Sequence, residues 1–247
     1  MPPRFFVPPP LRAGNGIALP PGPARHVQVL RLQPGDEITL FDGQGGEWRS
    51  RIEHMGRSVV SVHIEAQVPV DRELAFEVTI AMGMPANDRM DSVVEKATEL
   101  GVAFIQPLVC ERSVLRLSGE RADKKVAHWQ AVATAASEQC GRTRVPVVQP
   151  VRSLPAWLAT LPVNPASRRH LLSLREGAPG IAPAQAAERL LFLSGPEGGL
   201  SEAEEQAAMQ AGFEPTSLGP RVLRADTAPL AVMAALSLLA DTGPHHA

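Results

Sequence analysis

The segment Gly195-Pro196-Glu197-Gly198-Gly199-Leu200-Ser201, followed further along by Leu218-Gly219-Pro220-Arg221-Val222-Leu223-Arg224-Ala225-Asp226-Thr227-Ala228-Pro229, decides how this chain is read. Each segment comes after a short apolar run, Leu190 to Leu193 for the first and Thr216 to Leu218 for the second, and each leads into a helical pattern. Loops so placed lie at the carboxyl ends of strands, where open α/β sheets bind their ligands. The pair predicts an α/β fold with a ligand site built from two glycine-bearing loops.

The chemistry of the first loop narrows the ligand. Glycine allows the backbone to approach a ligand closely, and the amides at the start of a helix beginning near Ser201 are hydrogen-bond donors. A phosphate loop would add a lysine followed by Ser or Thr, and a dinucleotide fingerprint would read G-x-G-x-x-G after its domain's first strand. Neither pattern is present. Glu197 would also repel a phosphate, which favours a cationic or zwitterionic ligand.

Outward from these loops the pattern alternates strand and helix. Asn87 or Asp88 is placed to cap a helix through Leu100, with Met90, Val93, Val94 and Ala97 at helical spacing and Gly101 at its stop. A second helix starts at Ser118, carries Val126, Trp129, Val132 and Ala133 inward and ends at Gly141; a third opens with the Ser201/Glu204 capping box and closes at Gly212. Phe76 to Ala81, Phe104 to Val109, Val145 to Val148 and His170 to Leu174 are the intervening apolar strands. This alternation predicts a mostly parallel sheet covered on both faces.

The N-terminal part differs. Residues 5 to about 66 read as β-rich: Glu37 to Phe41 and Trp48 to Glu53 flank the glycine-rich hairpin signal at Asp42 to Gly46, and Ser58 to Ala66 alternates apolar and polar. A polar break at Pro69 to Glu73 puts the boundary near residue 71, giving a small barrel over 1–70 and an α/β domain over 71–247.

Composition excludes several classes. The 247 residues are 44% hydrophobic with a formal net charge of −2, which argues against a protein that coats nucleic acid by bulk charge. Charge is nonetheless uneven, since Arg4, Arg12, Arg25 and Arg31 precede the first acidic residue and mark a candidate basic edge. Cys110 and Cys140 are too few for a metal site or a disulfide framework, so neither is expected. No secretion signal or membrane-spanning run is present, and a cytoplasmic location follows as the expectation. His245-His246 is given no function.

Taken together, the residues carry a resemblance. The two C-terminal segments resemble the paired motifs of the SPOUT class of S-adenosylmethionine methyltransferases. Asp88-Arg89-Met90-Asp91, Lys96 to Gly101, Glu138-Gln139-Cys140-Gly141-Arg142, the His26 to Arg31 stretch and the Phe41-Asp42-Gly43 hairpin are similar to one branch, the 16S ribosomal RNA uracil-N3 methyltransferases known as RsmE. The likeness covers nearly the whole chain. It implies a C-terminal trefoil knot, an exception to the rule that chains do not thread loops, a PUA-like N-terminal barrel, a homodimer joined through the methyltransferase domain, and 16S ribosomal RNA or the small ribosomal subunit as substrate. The apolar C-terminal helix with Leu230, Val232, Met233, Leu236 and Leu239 is a candidate for the dimer interface or for the core.

On this reading Leu193, Gly195, Pro196, Glu197, Gly198, Leu218, Gly219, Val222, Leu223 and Thr227 hold S-adenosylmethionine. Uracil N3 carries a proton and lies on the pairing edge, so the base must be splayed out and deprotonated. Arg224 is the candidate to stabilise charge on the uracil oxygen, with Glu138 or Asp226 accepting the proton. Arg4, Arg25, His26 and Arg31 are candidate RNA contacts, and Arg142 is a candidate to reach the active site from the partner subunit. Trp129 and Trp157 sit in apolar helix patterns and read as core.

The chain departs from the family pattern at Ala86-Asn87, where a basic residue is usual, at Ala225-Asp226 in place of Thr-Glu, and at Leu174, where the strand often ends in proline. Two rival classes are a non-catalytic RNA-binding protein, which would have lost the cofactor loops, and a nucleotide-dependent enzyme, which would need the missing lysine. A methyltransferase of this fold acting on another RNA nucleotide is a third.

Overall fold

The computed structural model describes residues 2–57, 59–86, 89–162, 167–182 and 188–240. The helix caps expected at Asn87 or Asp88, and the His245-His246 tail, lie outside these residues. Internal contacts gather the chain into two units, one of Met1–Glu73 with Ser137–Val145, the other of Leu74–Ala136 with Pro146–Ala247.

The first unit contains β1 (Arg4–Phe6), β2 (Gly16–Ala18), α1 (Pro21–Val29), β3 (Glu37–Phe41), β4 (Glu47–Met55) and β5 (Val60–Val68). They form one sheet in the order β1-β3-β4-β5-β2, with β1 parallel to β3 and the other pairings antiparallel. Phe5, Ile38, Leu40, Ile52, Val62 and Ile64 are buried on one face, as the period-two alternation requires. The helix α1 is an element of this sheet unit that the β-rich reading did not place. Its prolines and valines suggest extended chain, yet Pro21 and Pro23 lie at its start, where a missing N–H breaks no helical bond. Burial of Ala24 and Val27 against the sheet then outweighs the weak propensity.

The second unit contains β6 (Glu77–Gly83), α2 (Arg89–Glu99), β7 (Phe104–Val109), α3 (Gly119–Cys140), whose last turn packs in the first unit, β8 (Val147–Val148), β9 (Arg152–Ser153), α4 (Leu154–Leu158), β10 (Ser167–Leu172), β11 (Arg189–Ser194), α5 (Glu202–Gln210), β12 (Glu214–Thr216) and α6 (Thr227–Leu239). The sheet runs β12-β10-β11-β6-β7-β8, with β9 also on β7, and each of these pairings is parallel. This is the expected α/β architecture. The run Leu190, Leu191, Phe192, Leu193 on β11 is buried throughout, the mark of a strand covered on both faces.

On one side Ala81, Leu108, Leu191 and Leu193 pack with Trp157 of α4 and Ala208 of α5. A further layer pairs α2 with α6, and α6 also packs on β11. Trp129 and Trp157 are both core residues, 1% and 6% exposed. On α6, Val232, Met233 and Leu236 are buried whereas Leu239 is exposed, so one face of the helix belongs to the core. The strand expected over His170 to Leu174 ends at Leu172, leaving Leu174 in the following loop.

Candidate cofactor and active site

The glycine loop leaves β11 and is folded tightly on itself. The Gly199 N–H donates to the Pro196 carbonyl at 2.8 Å, and a Cβ on Gly195 would come within 2.7 Å of the Leu200 nitrogen, so only glycine fits there. The end of β6 approaches equally closely: a Cβ on Gly83 would lie 2.5 Å from the Pro196 nitrogen. Ser201 caps α5 by the expected box, its Oγ accepting from the Glu204 N–H while Glu204 accepts from the Ser201 N–H. The box takes two of the amides that the sequence offered to a ligand.

Two side chains brace the loop. Arg112, in the turn after β7, donates through Nη1 to the carbonyls of Gly198 at 3.1 Å and Leu200 at 3.3 Å. Glu197 turns back toward the protein, where its Oε1 accepts the Ala86 N–H at 2.8 Å and lies 3.8 Å from Arg89 Nη1. The departure from the family pattern at Ala86 therefore leaves that contact intact, since it is made by the backbone.

A cavity of about 720 Å³ opens between the loop, the end of β10 and the Leu218 to Ala228 segment, within the size range of small-molecule sites. Gly195, Pro196, Glu197, Gly198, Leu218, Val222 and Leu223 line it, together with Arg224. Other expected cofactor residues do not. Leu193 is fully buried in the sheet core, and Gly219 and Thr227 are off the wall. Sequence reasoning missed Arg89, Leu172, Ser173, Ser194, Arg221 and Ala228, which also line the cavity. Ser194 continues the apolar run of β11, and only the sheet register shows that it ends the strand at the cavity.

The lining fits S-adenosylmethionine. Leu172, Leu218 and Leu223 supply apolar walls, the loop supplies backbone polar groups, and the Ser194 Oγ is buried with no hydrogen-bond partner among the described residues. Such an orphaned hydroxyl suits a polar ligand atom. The Asp226 Oδ1 is likewise buried without a partner, and Asp226 makes no side-chain capping bond at the start of α6. Cys110 is buried, and burial pushes its thiol up to about 12, with Glu204 adding to the effect, which disfavours the thiolate. No cluster able to hold a metal occurs among the described residues.

Within the first unit, two of the expected site residues, Arg4 and Arg142, lie in buried ion pairs. Arg4 is buried, ion-paired with Glu47, bonded through Nη2 to the Arg142 carbonyl at 2.8 Å and set over the Phe41 ring. Arg142 is buried as well, in a salt bridge with Glu73. Burial against carboxylates sets both guanidinium groups back from the surface. Glu138 Oε1 accepts the Phe6 N–H at 2.9 Å, and burial raises its pKa above the usual carboxylate value, opposed by that bond and by His26 and Arg4. Arg25, His26 and Arg31 are exposed; His26 meets the Phe5 ring edge-on at 5.3 Å.

Comparison with known proteins places this geometry. The RNA methyltransferase domain family matches residues 72–237, and the RNA methyltransferase PUA domain family matches residues 24–65. A ribosomal RNA small subunit methyltransferase E from Neisseria gonorrhoeae, crystallised with S-adenosyl methionine, is 36% identical with a TM-score of 0.88, covering 97% of this chain and 98% of that one. A Legionella pneumophila protein in complex with bound cofactor SAM is 31% identical with a TM-score of 0.89, over 96% and 98% of the two chains. The Bacillus subtilis ribosomal RNA small subunit methyltransferase E is 32% identical over 219 residues, 85% of each chain. With a match this extensive in both domains, the chain belongs to the ribosomal RNA small subunit methyltransferase E family.

Proposed function

We propose that the protein methylates N3 of a specific uridine in 16S ribosomal RNA, using S-adenosylmethionine. The observation that carries this reading is the cavity enclosed by both glycine-bearing segments, in a chain so similar to a relative crystallised with that cofactor. When bound, the cofactor supplies an electrophilic methyl group, so the chain has mainly to align, desolvate and deprotonate. Leu218 and Leu223 provide apolar walls, while Gly195 and Gly198 keep the loop compact where a Cβ would collide with Leu200 and Arg112.

Arg224 lines the same cavity and is exposed, with no side-chain partner among the described residues, which suits a group that meets negative charge developing on a uracil oxygen. Of the two carboxylates, Asp226 is the better supported proton acceptor. Its Oδ1 has no partner among the described residues, whereas Glu138 holds the Phe6 N–H. Arg25, His26 and Arg31 remain the RNA-facing side chains of the first unit. The split near residue 71, a homodimer through the methyltransferase domain, a C-terminal knot and a cytoplasmic location complete the proposal. The knot is supported by α6 following the edge strand β12 yet packing back on α2 and β11.

Two experiments test the reading. Binding of labelled S-adenosylmethionine against labelled ATP separates a methyltransferase from a nucleotide-dependent enzyme and from a protein that only binds RNA. Mapping modified nucleotides in ribosomal RNA from a deletion strain, with and without the gene restored, reports the target. Restored methylation at a uracil N3 is the expected result, and an unchanged 16S modification pattern would overturn it.

A further inference from the structure

We propose that Arg221 and Arg89 form a phosphate-contacting rim that seats the RNA backbone over the cofactor cavity, a role resting on the reading above. The cavity is lined by three arginines, Arg89, Arg221 and Arg224, and two carboxylates, Glu197 and Glu205. Both carboxylates are engaged. Glu205 Oε2 accepts from Arg175 Nε at 3.0 Å, and Glu197 accepts the Ala86 N–H.

The arginines are less satisfied. The Arg221 guanidinium is exposed and has no hydrogen bond or ion pair among the described residues, and the adjacent Val222 is 79% exposed on the same projecting loop. Arg89 stands 3.8 Å from Glu197, beyond hydrogen-bond distance, so its donors are not consumed by that pair. It is also the first residue of α2, where the positive end of the helix dipole adds to its field. The unpaired Arg221 guanidinium, and the Arg89 donors left over by its 3.8 Å ion pair with Glu197, match the non-bridging oxygens of a phosphodiester beside an opening that must admit a splayed nucleotide. The competing ligand is the cofactor's own carboxylate, but a side chain exposed at the tip of a loop suits a large polyanion better than a small molecule enclosed below it.

The test titrates the full-length protein with naked 16S ribosomal RNA over a series of salt concentrations, for wild type, Arg221→Ala, Arg89→Ala and the double variant. Each substitution should weaken binding and reduce the slope of log affinity against log salt by roughly 1, because one phosphate contact fewer releases fewer counterions. Arg221→Lys should retain the slope, since neutralising a phosphate needs charge rather than a planar fork. Because both arginines also line the cavity, calorimetry with S-adenosylmethionine should show a smaller loss of affinity in each variant than the RNA titration does. An unchanged slope in both single variants overturns the rim, and so does a loss of cofactor affinity that matches the loss for RNA. A wild-type protein that binds neither S-adenosylmethionine nor RNA would instead overturn the functional reading; wild-type binding with indistinguishable variants overturns the rim alone.

Discussion

Arg112 holds the carbonyl of Gly198 at 3.1 Å, and a Cβ on Gly198 would lie only 3.0 Å from the Arg112 Cβ, so arginine and glycine fit as a pair. The arginine does not line the cavity, and it acts on the cofactor through the backbone of the loop it braces. Arg112→Ala should lower S-adenosylmethionine affinity by about tenfold, as expected for losing charge-assisted bonds on a partly exposed group. Lysine at this position should restore part of the loss. Gly198→Val crowds the same arginine and should weaken cofactor binding in a protein that stays folded. Calorimetry on folded variants checks both, and wild-type affinity in either would contradict the brace.

Arg224 is expected to act in chemistry rather than in holding the cofactor. Arg224→Ala should lower the single-turnover transfer rate by roughly a hundredfold or more, on the scale of a lost oxyanion donor, with cofactor affinity little changed. Lysine should rescue in part, because a point charge cannot reproduce the fork. If Arg224 merely braces its loop, cofactor affinity and thermal stability will fall together and the rate at saturation will not.

The arginines of the first unit should separate into two groups. Removing Arg4 leaves Glu47 with a buried charge less fully paired, so Arg4→Ala should destabilise the protein by about 3 kcal/mol or more. Arg25→Ala with Arg31→Ala should leave the melting temperature nearly unchanged and flatten the salt dependence of RNA binding. Chemical denaturation and an RNA titration measure the two effects. A destabilised Arg25/Arg31 pair, or an unaltered Arg4→Ala, would reverse the assignment.

Glu138 carries a pH signature. Burial raises its native pKa, so the protonated form favours folding; that contribution is complete below the ordinary carboxylate pKa and is lost as pH rises through the native one. Glu138→Gln keeps an acceptor for the Phe6 N–H and remains neutral. It should melt at or above the wild-type temperature at pH 7, and the difference should vanish below about pH 4. Its single-turnover transfer rate should stay within a few fold of wild type, while Asp226→Asn should lose at least tenfold. A large rate loss in Glu138→Gln would return the proton acceptor to that residue.

Much of the α/β architecture was legible because its signals are local. The capping box at Ser201 and Glu204, the helical spacing of Met90, Val93, Val94 and Ala97, and the apolar run ending at Leu193 each depend on neighbours within a few residues. The paired loops marked the cofactor cavity for the same reason, since each is one contiguous segment at a strand's end. The helix α1 was hidden by prolines whose meaning depends on whether they open a helix or interrupt it, and burial against the sheet decides that.

By itself, then, the sequence determined the fold class, the two glycine-bearing loops, the core role of Trp129 and Trp157, and the resemblance to a family. Tertiary structure alone decided which arginines are free. Arg4, Arg142 and Arg221 are the same residue type, and no acidic residue lies within two positions of any of them to mark a partner. Folding places Glu47 beside Arg4 and Glu73 beside Arg142, partners 43 and 69 residues away, and leaves Arg221 exposed at the cavity. A charge is silenced or made available by whichever carboxylate the chain brings within reach, and that distance is set by long-range packing rather than by sequence order.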